Sequence, residues 1–423
     1  MRITKVNNPE TFAAKAIPKQ PQKNKKLVES IIKDVQKNGD AAIRKYEKKF
    51  SGANISSLQL SKAEIKNAYS KISKSEITAL RIAKAKLEKT ESTLKSILTN
   101  KTIVNYGIKI SKKFIPIQSV GCYIPGGLAK YPSSVIMSVV PAKVAGVKRI
   151  VVVSPPNSDG KIDPLTIVAA DICGANEIYK TGGVQSIAAL SNGTKSIKKV
   201  DKIVGPGGAF VTAAKFLSSD QTSIDMLAGP TELGIIGDDS ANPKFVALDL
   251  ISQAEHSKDT FCYLITTSEK LAKSVNDNLS KLILKIKRND IVKSSLKNNG
   301  FIAICKTKSD MIKLANILAP EHLQIMTKKS TTISSKINSS GLILLGENTP
   351  SSASDYILGS NHILPTGGFG KTRGSLSVFD FIKIKSEISA SKSSMSKISK
   401  YLKVLANAEG LPNHFEAVRG RLK

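Results

Sequence analysis

The 423-residue sequence is poor in the features that announce a disulfide framework, a nucleic-acid surface or a membrane span. Its four cysteines, Cys122, Cys173, Cys262 and Cys305, lie far apart with no CxxC pair, so reduced structural thiols are expected rather than disulfides or a thiolate zinc site. Arginine is scarce. Arg2, Arg44, Arg81, Arg149, Arg288, Arg373, Arg419 and Arg421 are the only eight among 64 Lys plus Arg. A net charge of +31 would ordinarily suggest an anionic polymer or membrane as partner. Phosphate and base recognition, however, favours the bidentate guanidinium, and here the excess is lysine scattered along the whole chain. With no RNA-binding aromatic signature and no zinc-finger spacing, no nucleic-acid partner is expected. No run of about 18 apolar residues occurs, and the opening MRITKVNNPETFAAKAIPKQ has no apolar core of signal-peptide length. The expectation is a soluble cytoplasmic protein with no membrane partner.

A chain this long should divide into two or more lobes, each burying its own core. From Asn24 to about Leu98, segments such as LVESIIKDV and ITALRIAKAKLEKTESTLKSIL put apolar residues at three- and four-residue spacing, the pattern of amphipathic helices. After Tyr106 the texture changes to short β-branched runs followed by glycine turns and helix-like segments, the mark of a parallel sheet with crossover helices. VKRIVVVSPP, EIYKTGG and DKIVGPG read as strands, alternating with helices at about Pro164 to Cys173, QSIAALS and AFVTAAKFLS. A second alternating region runs from GPTELGIIGD through KFVALDLISQAEH and FCYLITT to SSGLILLGE. The fold class expected is α/β, with two Rossmann-like lobes and parallel-rich sheets. A helical N-terminal segment and a small C-terminal tail complete it. The tail, Ser- and Lys-rich from about Lys383 and then helical, is too small for its own core and should pack on another lobe or subunit.

Two glycine motifs invite a nucleotide reading. Gly205-Pro206-Gly207-Gly208-Ala209-Phe210 lacks the last glycine of GxGxxG, although a glycine-rich strand-to-helix turn can still hold phosphate through backbone N–H groups. Gly367-Gly368-Phe369-Gly370-Lys371-Thr372 resembles a P-loop only until the position five before Gly370 is found to be Pro365, which disfavours an NTPase.

Only four histidines exist, His256, His322, His362 and His414, and each sits among polar residues. Ala247, Leu250, Ile251 and Ala254 form one helical stripe, so Gln253 and His256 share another face and could project two metal ligands. An ordinary polar helix face is the competing reading. Glu321 and His322 follow Pro320 as an adjacent acid and base. The imidazole can take an alcohol proton near neutrality and the carboxylate can orient water, whereas Pro-Glu is also a favourable helix start. Asp355 precedes His362 by seven residues with Gly359 between them to allow a turn. Glu409-Gly410 ends a helix and places His414 just beyond, either as a solvated terminus or as a tail reaching into a site, including that of another subunit.

Taken together, VGCYIPGGLAKYPSS, GGVQSIAAL, VDKIVGPGGAFV, GPTELGIIGD, DLISQAEHS, LAPEHLQI, SDYILGSNHILPTGG and EGLPNHFEAVR resemble histidinol dehydrogenase, in order, from about Val120 to the C-terminus. The resemblance implies oxidation of L-histidinol through L-histidinal to L-histidine with two NAD+ and one water. It also implies a homodimer with one zinc ion per subunit and a shared active site. Gln253, His256, Asp355 and His414 match the zinc ligands, with His414 supplied by the partner subunit. The zinc orients the substrate rather than activating its alcohol. His322 matches the base and Glu321 the residue that activates water. Thr231, Gln253, His256, His322, Asp355, His362, Glu409 and His414 match substrate-contacting positions, and Tyr123, Gln185 and Gly208 match NAD-contacting ones.

The resemblance also suggests a division of the chain. Residues 1–22 would be an arm, 23–120 with 232–378 a lobe carrying the zinc and catalytic residues, 121–231 the NAD lobe, and 379–423 a dimerisation tail. Two positions depart from the family pattern. Gly208 replaces a usual asparagine and removes a side-chain contact to the dinucleotide, and Thr231 replaces a usual serine, keeping the hydroxyl and adding a methyl group. Rival readings are a relative on the same frame that oxidises another small alcohol, such as a sulfonated diol, and a basic nucleic-acid-binding protein with a vestigial enzyme fold. A zinc hydrolase finds no HExxH.

Overall fold

A computed structural model describes residues 1–18, 25–126 and 130–422. The expected boundary at residues 22 and 23 and the centre of the VGCYIPGGLAKYPSS segment, residues 127–129, lie outside the described residues.

Strand runs such as ELGIIG and FCYLIT are buried at every position, which is what a parallel sheet covered on both faces requires. They belong to a six-stranded sheet in the order Arg2–Val6, Phe301–Cys305, Phe261–Thr266, Glu232–Gly237, His322–Met326, Leu342–Leu345, with every pairing parallel. A five-stranded sheet, also parallel throughout, has the order Glu177–Lys180, Arg149–Ser154, Ser119–Tyr123, Lys202–Val204, Ser223–Ile224. These are the two α/β lobes expected. In the five-stranded sheet the chain builds outward from Ser119–Tyr123 in one direction and then returns to its other side. The crevice between Ser119–Tyr123 and Lys202–Val204 is therefore a topological switch point.

The helical N-terminal segment packs differently from the expected division. Helix Lys25–Ser51 lies on helix Gly183–Asn192, and helix Lys74–Ser96 lies on helix Pro132–Ala145. Val28, Ile31, Val35 and Ile43 share one core with Val151, Ile187 and Leu190, so these helices cover the 119–224 sheet rather than the 232–345 sheet. An apolar stripe dictates that a helix must be covered but is silent about which sheet covers it. The first residues are likewise more than an arm, since Arg2–Val6 is an edge strand and helix Pro9–Ala16 packs on helix Lys308–Leu318.

The tail begins as a strand. Ile382–Ala390, sequence IKIKSEISA, alternates with period two and pairs antiparallel with Ile108–Pro116, which also pairs with Lys101–Asn105. Helices Lys392–Ala408 and Pro412–Leu422 then pack on each other.

One contact ties helix Lys74–Ser96 to the segment leading into the tail. Glu91 is 2% exposed and accepts the backbone N–H of Val378 at 2.6 Å. Burial pushes its carboxyl from 4.5 up to about 7, against the opposing pull of that N–H. A raised folded-state value gives stability that is present below pH 4.5 and lost as the pH rises through about 7. Glu91→Gln keeps the acceptor without the charge. It should melt above the parent at pH 8, with the difference closing by about pH 5, a comparison for thermal denaturation at the two pH values.

Candidate active site

The site is assembled where two neighbouring strands begin. Glu232 opens strand Glu232–Gly237 and His322 opens strand His322–Met326, with His322 in register with Leu233. Thr231-Glu232 and Glu321-His322 are thereby held side by side. Glu321 Oε2 accepts the backbone N–H of Glu232 at 2.8 Å and the Thr231 hydroxyl. In return the Glu321 N–H donates to Glu232 Oε2 at 3.2 Å, and Glu232 Oε1 accepts the Gly367 N–H at 2.9 Å. Burial pushes the Glu232 carboxyl up to about 8, opposed by the Gly367 N–H and reinforced by the neighbouring Glu321. The helix-start reading of Pro320-Glu321 is overturned. The preceding helix, Lys308–Leu318, stops at Ala319 with φ +47°, and the segment enters a strand.

Hydrogen bonding assigns the proton on His322. Nδ1 lies 3.3 Å from the carbonyl oxygen of Glu232, which can only accept, so Nδ1 carries a hydrogen and it is Nε2 that presents the lone pair whenever the ring is neutral. Nε2 is buried and without a hydrogen-bond partner, 3.5 Å from Asp355 Oδ1. Burial works against the imidazolium. Even so, Glu321, 3.7 Å from Nδ1, and Asp355 outweigh it and push His322 up to about 10. For Asp355, burial raises and the His322 contact lowers, and with His362 and His256 nearby the net direction is downward.

His362 plays another part. Its Nδ1 lies 2.8 Å from the carbonyl oxygen of Asp355 and its Nε2 3.2 Å from Ser134 Oγ, so neither nitrogen is free. Gly359, at φ +85°, makes the turn that returns the chain from Asp355 to His362. Because Ser134 belongs to helix Pro132–Ala145 of the other lobe, this histidine bridges the lobes.

Gln253 lies in the last turn of helix Pro243–Ala254 and is buried. His256 sits beyond the helix end, not on a continued helical face, and its N–H donates to the Gln253 carbonyl at 3.2 Å. Gln253, His256, Asp355, Glu321, His322 and Thr231 all line one cleft of about 410 Å³, with His362 beside them. The three expected metal donors of one chain, an amide oxygen, an imidazole and a carboxylate, therefore share one space, and Asp355 faces imidazoles there. Among the described residues, no group of three His, Cys, Asp or Glu side chains is placed to hold a metal by itself. Glu409 and His414 are exposed and do not line this chain's cleft. His414 lies in helix Pro412–Leu422 rather than on a free end.

The opposite wall is the switch point of the other lobe. Gly205, Pro206, Gly207 and Gly208 line the same cleft just past strand Lys202–Val204. Gly205 has φ +117°, and a Cβ there would lie 2.1 Å from the carbonyl oxygen of Tyr123, so glycine is demanded by the neighbouring strand. Gly208 caps helix Ala209–Leu217 and has open space where a side chain would sit. Tyr123 and Gln185 are buried behind this wall. The Gly183 N–H donates to the Tyr123 hydroxyl at 3.4 Å, and Gln185 Nε2 donates to Glu47 at 2.8 Å.

Several contributors escape a reading by motif. Glu232 opens an otherwise apolar strand, a charge whose position could have marked it. Lys215 and Asp225 are isolated charges in apolar surroundings, and each grips the Gly205 peptide. Lys215 Nζ donates to its carbonyl at 3.0 Å and Asp225 Oδ2 accepts its N–H at 2.8 Å, while Lys215 and Asp225 also pair directly.

A family model described as Histidinol dehydrogenase matches residues 15–422. Curated histidinol dehydrogenases of Methanocaldococcus jannaschii and Methanococcus maripaludis are 41% and 43% identical over 396 residues. The alignments cover 94% and 93% of this chain and 92% of each relative. The crystal structure of histidinol dehydrogenase from Elizabethkingia anophelis superposes with a TM-score of 0.94 at 34% identity, covering 100% of this chain and 98% of that one.

The Gly205 turn depends on its buried ion pair. Lys215→Met leaves Asp225 uncompensated in the interior and should cost about 3–5 kcal/mol of stability. Urea unfolding would measure it, and restoring part of the loss with a second change, Asp225→Asn, would identify the orphaned charge as the cause.

Proposed function

Because the chain belongs to the histidinol dehydrogenase family, we propose that this oxidoreductase of histidine biosynthesis converts L-histidinol through bound L-histidinal to L-histidine. NAD+ is the acceptor and one zinc ion serves each subunit. The observation that carries the reading is His322, fixed beside Glu321 with its Nε2 3.5 Å from Asp355, in a cleft whose far wall is a glycine turn at a strand switch point.

Oxidising an alcohol to a carboxylate removes four electrons, so two NAD+ each take a hydride, and the second carboxylate oxygen comes from water. Zinc, when bound by Gln253, His256, Asp355 and the partner's His414, supplies a template for the substrate's nitrogen donors. His322 Nε2 takes the hydroxyl proton as the alcohol is oxidised. Glu321, held by the Glu232 N–H and the Thr231 hydroxyl, polarises the water that hydrates the aldehyde, and His322 again takes a proton in the second oxidation. The base must be neutral to act. A cation beside Asp355 opposes the pull that raises His322 and so favours its neutral form.

For the cofactor, the switch-point crevice and the N-terminus of helix Ala209–Leu217 suit a pyrophosphate. Tyr123, Gln185 and Gly208 are the NAD-contacting residues of this reading, with Gly208 offering backbone alone. Thr231, His362 and Glu409 contact the substrate, Glu409 together with His414 being contributed by the partner subunit. A homodimer is supported by the tail, which leaves Tyr401, Val404 and Leu405 more than 60% exposed. An NAD-linked biosynthetic step suits a cytoplasmic enzyme, and among the described residues no helix is long and apolar enough to cross a membrane.

Purified protein given L-histidinol and excess NAD+ should release two NADH and one histidine per substrate. Prolonged chelation should abolish turnover and zinc should restore it, and NADH without histidine would refute the assignment. Separately, His322→Ala and His414→Ala chains, each nearly inactive alone, should regain turnover when mixed, because one of the two sites in a mixed dimer is intact. Mixing that never exceeds the parents would exclude the shared site.

A further inference from the structure

We propose that Thr231 is a positioning residue which locks the side-chain amide of Gln253 with its oxygen toward the cleft, and thereby sets the affinity for the metal. This rests on the reading of Gln253 as a metal ligand. Thr231 is itself fixed, because its carbonyl accepts the Phe261 N–H at 3.0 Å at the start of the adjoining strand. Its hydroxyl has one hydrogen to give. Glu321 Oε2 can only accept when ionised, and it already takes the Glu232 N–H at 2.8 Å, so the Thr231 hydrogen goes to Glu321. What remains on Thr231 Oγ1 is lone-pair density. The Gln253 group 2.7 Å from it must therefore be the NH2 end. The opposite amide orientation would set two oxygens face to face with no proton between them.

The consequence falls on the other end of the amide. Gln253 Oε1 has no hydrogen-bond partner among the described residues, and Gln253 lines the cleft together with His256 and Asp355. A neutral amide is a weak ligand beside a carboxylate or imidazole, so its contribution depends on the oxygen being presented without a search among rotamers. Threonine strengthens the lock beyond what a serine would supply. Its β-branch restricts χ1, holding Oγ1 between Gln253 and Glu321. The chain Glu321–Thr231–Gln253 thus connects the residue proposed to polarise water with a proposed metal ligand through one hydroxyl of defined direction.

Metal affinity, read without turnover, tests this. The parent, Thr231→Val, Thr231→Ser and Gln253→Ala would be stripped by chelation and titrated with zinc against a colorimetric chelator, with thermal melts alongside. Thr231→Val, which keeps the shape and loses the hydroxyl, should bind zinc about 10- to 100-fold more weakly. Thr231→Ser should stay within about threefold of the parent, since it keeps the directed hydroxyl. Zinc affinity at the parent level in Thr231→Val, with Gln253→Ala weakened, overturns the inference and leaves the ligand reading intact. Parent-level affinity in Gln253→Ala overturns the ligand reading and the inference with it. Should the valine chain not fold, Thr231→Ala carries the same comparison.

Discussion

The rest of the site depends on the reciprocal clasp between Thr231-Glu232 and Glu321-His322 at the starts of two paired parallel strands. Each segment offers the other a backbone N–H and a carboxylate: Glu232 N–H to Glu321, and Glu321 N–H to Glu232. Strand starts in a parallel sheet leave backbone donors unpaired on one side, and burying them without acceptors would be costly. Two glutamates satisfy those donors and in doing so become fixed to within the precision of the sheet itself. The Glu232 carbonyl then sets the tautomer of His322. The orientation of His322 is inherited from strand register, and so is rigid in a way that a loop-borne histidine would not be.

The lobes contribute opposite ends of their sheets. In the 119–224 lobe the cleft is met at the C-terminal ends of the strands, the usual crevice of a doubly wound sheet. In the 232–345 lobe it is met at the N-terminal ends, where Glu232 and His322 stand. Only one lobe therefore presents the crevice in which such sheets hold nucleotides. The other supplies side chains. His362 joins the two by donating to the Asp355 carbonyl while its second nitrogen engages Ser134. The three histidines of the cleft are held differently: His362 has both nitrogens committed, His322 has Nδ1 against a carbonyl and Nε2 near Asp355, and His256 lies at the exposed rim.

The alternation of strands and helices from Val120 onward was legible because fully buried β-branched runs separated by glycine turns have few other solutions. Helix Pro164–Cys173 falls on the residues expected of it. Of the residues that the motifs single out, Thr231, Gln253, His256, Glu321, His322, Asp355, His362 and Gly208 line one cleft, whereas Tyr123, Gln185, Glu409 and His414 do not. What the sequence could not convey was partnership at a distance. The stripe Val28, Ile31, Val35 and Ile43 fits either sheet as an amphipathic pattern, and only the shapes of the two cores decide between them. Strand Ile382–Ala390 was hidden because Lys383, Lys385, Glu387 and Ser389 occupy one face, although its isoleucines at positions 382, 384 and 388 keep strand period on the other. Lys215 and Asp225 act on Gly205 through backbone atoms, and such contacts leave no motif.

That overlooked strand bears on how a site could be shared. Ile382–Ala390 ties the root of the tail to Ile108–Pro116 along nine register pairs. The helices beyond it rest mainly on each other and leave Val404 and Leu405 exposed. The antiparallel ladder holds the root of the tail, and the packing of its two helices on each other holds Glu409 and His414 in a fixed relation. The proposed sharing of a site would then cost little conformational entropy on association, because the segment is already ordered in the single chain. The glycine at position 410, with φ +71°, turns the chain between the two tail helices and sets where His414 stands relative to Glu409. A carboxylate and an imidazole held on an ordered helical support, outside their own chain's cleft, are what the proposed sharing of a site between subunits requires.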